Sequence, residues 1–211
     1  MAAVIGNVTV LKNNTFTEYR DVLTTVEKTD GVVAAEPFIF DELMIASAGH
    51  PPFGVSLKGV DPQRVAGVLD LGARLKVGSL QDLGRGEPPA IMLGDALAEK
   101  LRVRAGDRVV LTARADDSQP GGQPREYPFR VTGIFHTAID EYDQRLAVAA
   151  LASAQQVVYR RDQVLGIELK VKDIEQSDKV ARAVERALGG LPYEVMDWRE
   201  LSRGSSSDRK P

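Results

Sequence analysis

Few residues in this chain are equipped for chemistry. His50 and His136 are the two imidazoles, and the chain has no cysteine. Thiol nucleophiles, thiolate zinc centres and disulfides are therefore excluded. Two histidines cannot build a three-histidine zinc site, and neither lies in a His-Glu-x-x-His pattern. No Gly-x-Ser-x-Gly elbow and no Walker sequence occurs. Gly84-Arg85-Gly86 is a fragment of a glycine-rich loop, but no helical pattern follows it, so it reads as plain loop. Asp140-Glu141-Tyr142-Asp143 gathers oxygen ligands of the kind a cation uses. It lacks the glycine and distal glutamate of an EF-hand and reads as an exposed acidic turn. Asp116-Asp117 reads as a solvated loop tip. His136 follows a strand-like run and reads as a strand-end histidine, packed or solvated. The expectation is no catalytic residue, no cofactor-binding residue and no metal ligand.

The elements that would position these residues follow from periodicity. Val8–Leu11 is a short β-type run. Tyr19, Val22, Leu23 and Val26 share one helical face within Glu18–Lys28, with Thr15 or Thr17 as a cap and Asp30-Gly31 as the stop. Val32–Phe40 is β-rich, and Pro37 within it implies an edge strand or a bulge. Phe53–Val60, Ala90–Leu93, Arg108–Thr112, Tyr127–Phe135 and Leu146–Ala150 read as strands. Gly94–Leu101 and Ser153–Tyr159 read as helices, the second capped by Ser153, while 70–89 reads as mostly loop. Asp61-Pro62 starts a short turn or helix. Near the end, Gly166–Val171 is a strand, Ser177–Leu188 an amphipathic helix stopped by Gly189-Gly190, and Tyr193–Met196 a strand. Both chain ends thus read strand, helix, strand, and the middle is mostly β. The fold class is α+β: a split βαβ-type lobe formed by both chain ends, with an inserted β-rich lobe.

The chain has 211 residues, 43% of them hydrophobic and 27% charged, which describes a globular protein able to bury a core. Its formal net charge of −3 offers no basic excess for nucleic acid. No signal peptide is visible, and the apolar runs Gly31–Ala35 and Leu146–Ala152 fall far short of the roughly 20 residues a bilayer span needs. Residues 203–211 are small and polar and read as a flexible tail or an expression scar. The chain reads as an excised piece of something larger. Asp197-Trp198-Arg199-Glu200 holds the single tryptophan. Its ring either packs over the last strand or marks a junction to a membrane helix.

Several stretches, taken in order, resemble the periplasmic domain of lipoprotein-releasing ABC transporter permeases of the LolC/LolE type, within the wider MacB-like family. They are Gly31-Val32 with Pro37-Phe38-Ile39, then Leu57-Lys58-Gly59-Val60-Asp61-Pro62. Ile91-Met92-Leu93-Gly94 follows, with Ala96-Leu97-Ala98, Leu101-Arg102-Val103 and Gly106-Asp107-Arg108-Val109. Then come Phe129-Arg130-Val131-Thr132-Gly133-Ile134-Phe135, Glu141-Tyr142-Asp143 and finally Asp197-Trp198-Arg199-Glu200-Leu201.

The resemblance implies a soluble periplasmic domain of an inner-membrane protein, with membrane helices before residue 1 and after about residue 202. It implies a porter-like lobe at 1–49 and 164–202 and an inserted β-rich lobe at 50–163 carrying a long hairpin loop at 115–126. In the lipoprotein-releasing members that loop engages a periplasmic carrier chaperone, LolA. Here its tip is Ser118, Gln119, Pro120, Gly121, Gly122, Gln123 and Pro124, which is polar and glycine-rich where the better-known loops carry more apolar side chains. The implied partners are the carrier chaperone, lipoprotein cargo, a partner permease subunit or second copy, and a cytoplasmic ATPase subunit. The alternatives are a MacB-like efflux permease working with an adaptor protein, an FtsX-like envelope regulator, and a stand-alone β-barrel enzyme or ligand-binding module. The apolar cluster Phe38, Ile39 and Phe40 is the most suggestive lining for an acyl chain, with core as its plainer role.

Overall fold

The computed structural model describes residues 4–113 and 124–201. In chain order the elements are β1 (Val8–Phe16), α1 (Tyr19–Val26), β2 (Val32–Ser47), β3 (Phe53–Val60), α2 (Val65–Val68), β4 (Leu75–Val77) and β5 (Ala90–Gly94). There follow α3 (Asp95–Leu101), β6 (Arg108–Ala113), β7 (Arg125–Phe135), α4 (Asp140–Arg145) and β8 (Leu146–Ala150). The series ends with α5 (Leu151–Val158), β9 (Val164–Val171), α6 (Ser177–Leu188) and β10 (Tyr193–Asp197). The chain is a mixed α/β protein. Among the described residues, no helix is long and apolar enough to cross a membrane.

Two compact units are present. The first contains Met1–Phe38, Gln63–Asp70 and Gln163–Pro211. Its sheet runs β10-β1-β9-β2 with every pair antiparallel. The helix α1 buries Tyr19, Val22, Leu23 and Val26, the residues its spacing marks as one face. Its N-cap is Glu18, without a side-chain cap bond, so neither Thr15 nor Thr17 caps it. The helix α6 buries Val180, Ala181 and Val184 and ends at Gly189 in the left-handed region. Pro37 pairs with Ile167 of β9. Glu36 faces Glu168 across β2 and β9, and Thr9 faces Glu168 across β1 and β9; all three are buried. This polar row is invisible to alternation, which treats a strand Glu as surface.

The second unit contains Ile39–Pro62 and Leu71–Asp162. Its pairings form a closed ring: β2, β3, β8, β5, β7, β6 and back to β2 through Met44↔Thr112 to Ser47↔Val109. Closure leaves these six strands with no long open edge. Ile39, Ile45, Leu57, Ile91, Leu93, Leu111, Phe129 and Val131 are fully buried within it. Of the apolar cluster in β2, Phe38 and Ile39 are buried and Phe40 is exposed. The stretch 70–89 is not all loop: the three-residue β4 pairs with the end of β7. Three residues are too few to display a period, and the neighbouring strand supplies the ladder. The helix α5 begins at Leu151, so Ser153 lies inside it rather than at its cap.

Candidate functional site

Two arrangements in the second unit merit a chemical reading. The first is the hairpin β6–β7. Its ladder runs from Arg108↔Arg130 to Ala113↔Arg125. Val109, Leu111, Phe129 and Val131 point inward and are buried, so the apolar alternation fixes the register. Arg125 and Glu126 belong to β7, which carries the ladder two residues beyond the expected loop boundary. The expected contact residues Ser118, Gln119, Pro120, Gly121, Gly122 and Gln123 lie outside the described residues. Pro124 is described; it is exposed and immediately precedes β7.

The outward face at the base of that hairpin is partly apolar. Ala46, Val110 and Pro128 form one cross-strand row, and Met44, Thr112 and Glu126 the next. Phe40 lies on the same side of β2 as Met44, and each is 40% exposed. Such side chains on a sheet face adjoining a hairpin can take up a partner's apolar surface.

The second arrangement joins residues far apart in sequence. His136 Nδ1 lies 3.1 Å from Asp95 Oδ2 and 3.1 Å from Asp143 Oδ2. Asp143 is buried, and its Oδ1 accepts from Thr137 N at 2.7 Å and Thr137 Oγ1 at 2.8 Å. Its Oδ2 accepts from Ala138 N at 3.1 Å. Asp95 opens α3, and its Oδ2 accepts from Lys76 Nζ of β4 at 2.5 Å. Burial pushes the Asp95 carboxyl up, but hydrogen bonds from Lys76 and His136 outweigh it and hold the group below its ordinary value. Gly94 permits the approach of α4, since a Cβ there would stand 2.4 Å from the Asp143 carbonyl oxygen. The three ligand-type atoms lie within 4.8 Å of one another, a spacing a cation can use. The Lys76 ammonium already supplies positive charge at Asp95, and His136 Nδ1 lies between the two carboxylates. The arrangement ties β4, β7, α3 and α4 together.

Asp143 thus departs from the exposed acidic turn expected for Asp140–Asp143. That stretch is the helix α4, and the fourth residue points inward. His136 is half-exposed at the end of β7, as a strand-end histidine. No spacing in the sequence links positions 95, 136 and 143, so Asp95 carries no sequence signal of its own; the one signal is the histidine directly after a strand. In the first unit, Asp197 Oδ1 accepts from the amides of Arg199 and Glu200, and Asp197 N donates to Glu200 Oε2, a reciprocal cap for the helical residues 198–201. The Arg199 guanidinium lies 5.1 Å from the Trp198 ring centre.

An antiparallel four-stranded sheet in one unit and a closed β ring in the other define a mixed α/β class of two-unit domain. Residues 2–187 match the model of the MacB-like periplasmic core domain, and the chain belongs to that family. It is 36% identical over 168 residues to a lipoprotein-releasing system transmembrane protein LolC of Xylella fastidiosa, covering 79% of this chain and 40% of that protein. It is 34% identical over 193 residues to the LolC protein of Neisseria meningitidis, covering 90% of this chain and 46% of that protein. The chain therefore spans less than half the length of these relatives. Its fold is that of the periplasmic region of MacB from Actinobacillus actinomycetemcomitans, with a TM-score of 0.59 at 13% identity, covering 100% of this chain and 96% of that one.

Proposed function

We propose that this chain is the periplasmic domain of an ABC transporter permease that releases lipoproteins from the inner membrane and passes them to a periplasmic carrier chaperone. The observation that carries this reading is its similarity to LolC proteins over most of the chain. The domain is non-catalytic in this reading. A separate ATPase subunit supplies hydrolysis, the membrane part carries the motion, and a sister permease subunit or a second copy completes the transporter. The unit holding both chain ends is the porter-like lobe, and the unit holding the β6–β7 hairpin is the inserted lobe. The hairpin loop 115–126 is the chaperone contact, and two prolines in its tip lower the entropy lost on binding. The apolar outward face of Phe40, Met44, Val110 and Pro128 supports that placement, because it offers contact area at the loop's base. Handover requires a sheltered path for acyl chains, each buried methylene being worth about 0.8 kcal/mol.

Calorimetric titration with the carrier chaperone of the same organism tests the reading. Binding is expected for the native chain and lost when Ser118–Gln123 is replaced by a short Gly-Ser turn. Binding that survives the replacement moves the contact away from the loop. No binding by either folded form overturns the lipoprotein-release reading in favour of efflux or envelope regulation.

A further inference from the structure

Besides the hairpin tip, the second unit carries a group of arginines without an ion pair among the described residues. Arg108 and Arg130 sit directly opposite each other on β6 and β7, both exposed. Directly opposed residues of an antiparallel pair point to the same side, and like charges so placed repel. Arg130 and Arg85 both line an open cavity of about 360 Å³, whose wall includes Asp82, Gly86, Pro88, Gly106 and Thr132. Among the described residues, none of these three guanidiniums makes an ion pair or a hydrogen bond. The acids close by each have a carboxylate oxygen bonded to a backbone amide or lie outside the cavity wall. Asp82 Oδ2 accepts from Ser79 N at 3.0 Å, Asp107 Oδ2 accepts from Arg104 N at 2.9 Å, and Glu87 is not part of the cavity wall.

The frame around the cavity is held by backbone. Arg130 N donates to Pro89 O at 2.9 Å, Gly106 N to Val131 O at 2.8 Å, and Val131 N to Asp107 O at 2.9 Å. The middle of β7 is thereby bonded to both loops that rim the cavity. Gly106 has φ +101°, a conformation that favours glycine, and no atom lies within 4 Å of where its Cβ would stand. The cavity walls are thus tied together through backbone, and Gly106 adds no side chain to them.

We propose that Arg85, Arg108 and Arg130 form a binding site for a phosphoryl group. A guanidinium presents a planar fork of donors, and Arg130 links the other two: it shares the cavity wall with Arg85 and the cross-strand position with Arg108. A phosphoryl group offers three or four acceptor oxygens and enough charge to relieve the Arg108–Arg130 repulsion. Both inorganic phosphate and a phospholipid headgroup carry that chemistry. The inference stands apart from the chaperone reading, because it uses none of the hairpin tip.

The test is a titration of the full 211-residue chain with potassium phosphate against potassium chloride at matched ionic strength, followed by arginine side-chain NMR signals. Saturable shifts at the three arginines are expected with phosphate and not with chloride or acetate. The Arg108→Ala/Arg130→Ala double variant should weaken binding by about tenfold or more, the scale of losing charge-assisted bonds. Arg130→Glu separates binding from folding: it pairs with Arg108, so its melting temperature should equal or exceed the native one while phosphate binding is lost. Co-sedimentation with phosphatidylglycerol vesicles, retained by the native chain and lost in the double variant, assigns the site to a lipid headgroup. Phosphate binding without vesicle binding assigns it to a free phosphoryl compound. Shifts that do not saturate, binding that survives Arg130→Glu, or acetate or a polyglutamate peptide binding as tightly as phosphate each overturn the proposal, the last pointing to an acidic protein surface.

Discussion

The Asp95–His136–Asp143 cluster and the Arg85–Arg108–Arg130 group belong to the same compact unit, yet one is closed on itself and the other is open. In the first, each carboxylate has its partners within the cluster: Lys76 and His136 for Asp95, and His136, Thr137 and Ala138 for Asp143. Nothing is left over for a ligand without displacing a lysine. In the second, like charges face each other across two strands, and the neighbouring Asp82 and Asp107 each have a carboxylate oxygen bonded to a backbone amide. A folded chain keeps buried charge satisfied because an orphaned buried group costs about 1 to 3 kcal/mol. It tolerates exposed unpaired charge cheaply, since water solvates it. The closed cluster therefore belongs to stability, and the open one is available for binding.

That contrast is broken hardest at Asp143. Asp143→Ala strands two amides and a hydroxyl in a buried position, so urea unfolding should show a loss of about 3 kcal/mol or more. Asp143→Asn keeps the shape and part of the acceptor capacity and should lose less. His136→Ala touches the half-exposed side of the same cluster and should cost about 1 kcal/mol or less. If His136→Ala proves as damaging as Asp143→Ala, the cluster is held by charge and not by Asp143's buried hydrogen bonds. Asp197→Ala removes the cap of residues 198–201 and leaves the buried Ser177 hydroxyl without its 3.3 Å acceptor. A loss of about 2 kcal/mol by the same measurement is expected.

These residues also mark where sequence reading succeeds and where it stops. The helices α1 and α6 and the hairpin strands β6 and β7 were legible because their apolar residues recur at 3.6 or 2, and burial follows that period. The charge clusters were not. Asp95, His136 and Asp143 meet only because β5 and β7 pair side by side and α3 leaves directly from the end of β5. The closure of the ring depends on Met44–Ser47 meeting Val109–Thr112, a contact between segments more than sixty residues apart. Asp143 is not legible because a stretch with three acids in four residues looks solvated, and its inward turn is dictated by Thr137 and Ala138, which carry no period. Glu36 shows the same limit inside a strand: its burial comes from the neighbouring β9 and not from its own segment.

A milder version of the closed arrangement lies in the first unit, and pH is the way to sharpen the comparison there. The hydrogen bond from Lys12 holds the Glu18 carboxyl down to about 2 from 4.5, against the opposing effect of burial and with help from its own backbone and Tyr193. Tyr193 Oη donates to Glu18 Oε1 at 3.0 Å, and the Tyr193 ring meets Phe16 edge-on at 6.0 Å. A carboxyl depressed on folding contributes stability above its unfolded value and loses it as pH falls through the folded one. The contribution is therefore complete above about 4.5 and disappears towards 2. The Glu18 side chain is 35% exposed, so solvent screening holds the energy to about 1 kcal/mol or less. Lys12→Met should flatten the fall in melting temperature across that window by lowering the neutral-pH value slightly, the equivalent of about 1 kcal/mol or less, while the value near pH 2 stays close to native.

The smallest expected effect bears most directly on the open group. Arg108→Glu places a carboxylate opposite Arg130 and turns a repulsive cross-strand pair into an attractive one. Exposed pairs of this kind contribute about 0.2 to 1 kcal/mol, so urea unfolding should show a gain of a few tenths, shrinking as salt rises. A loss instead of a gain would mean that the two guanidiniums are already relieved of their repulsion in the free protein. The open group would then be closed after all, and the distinction between the two clusters would fall with it.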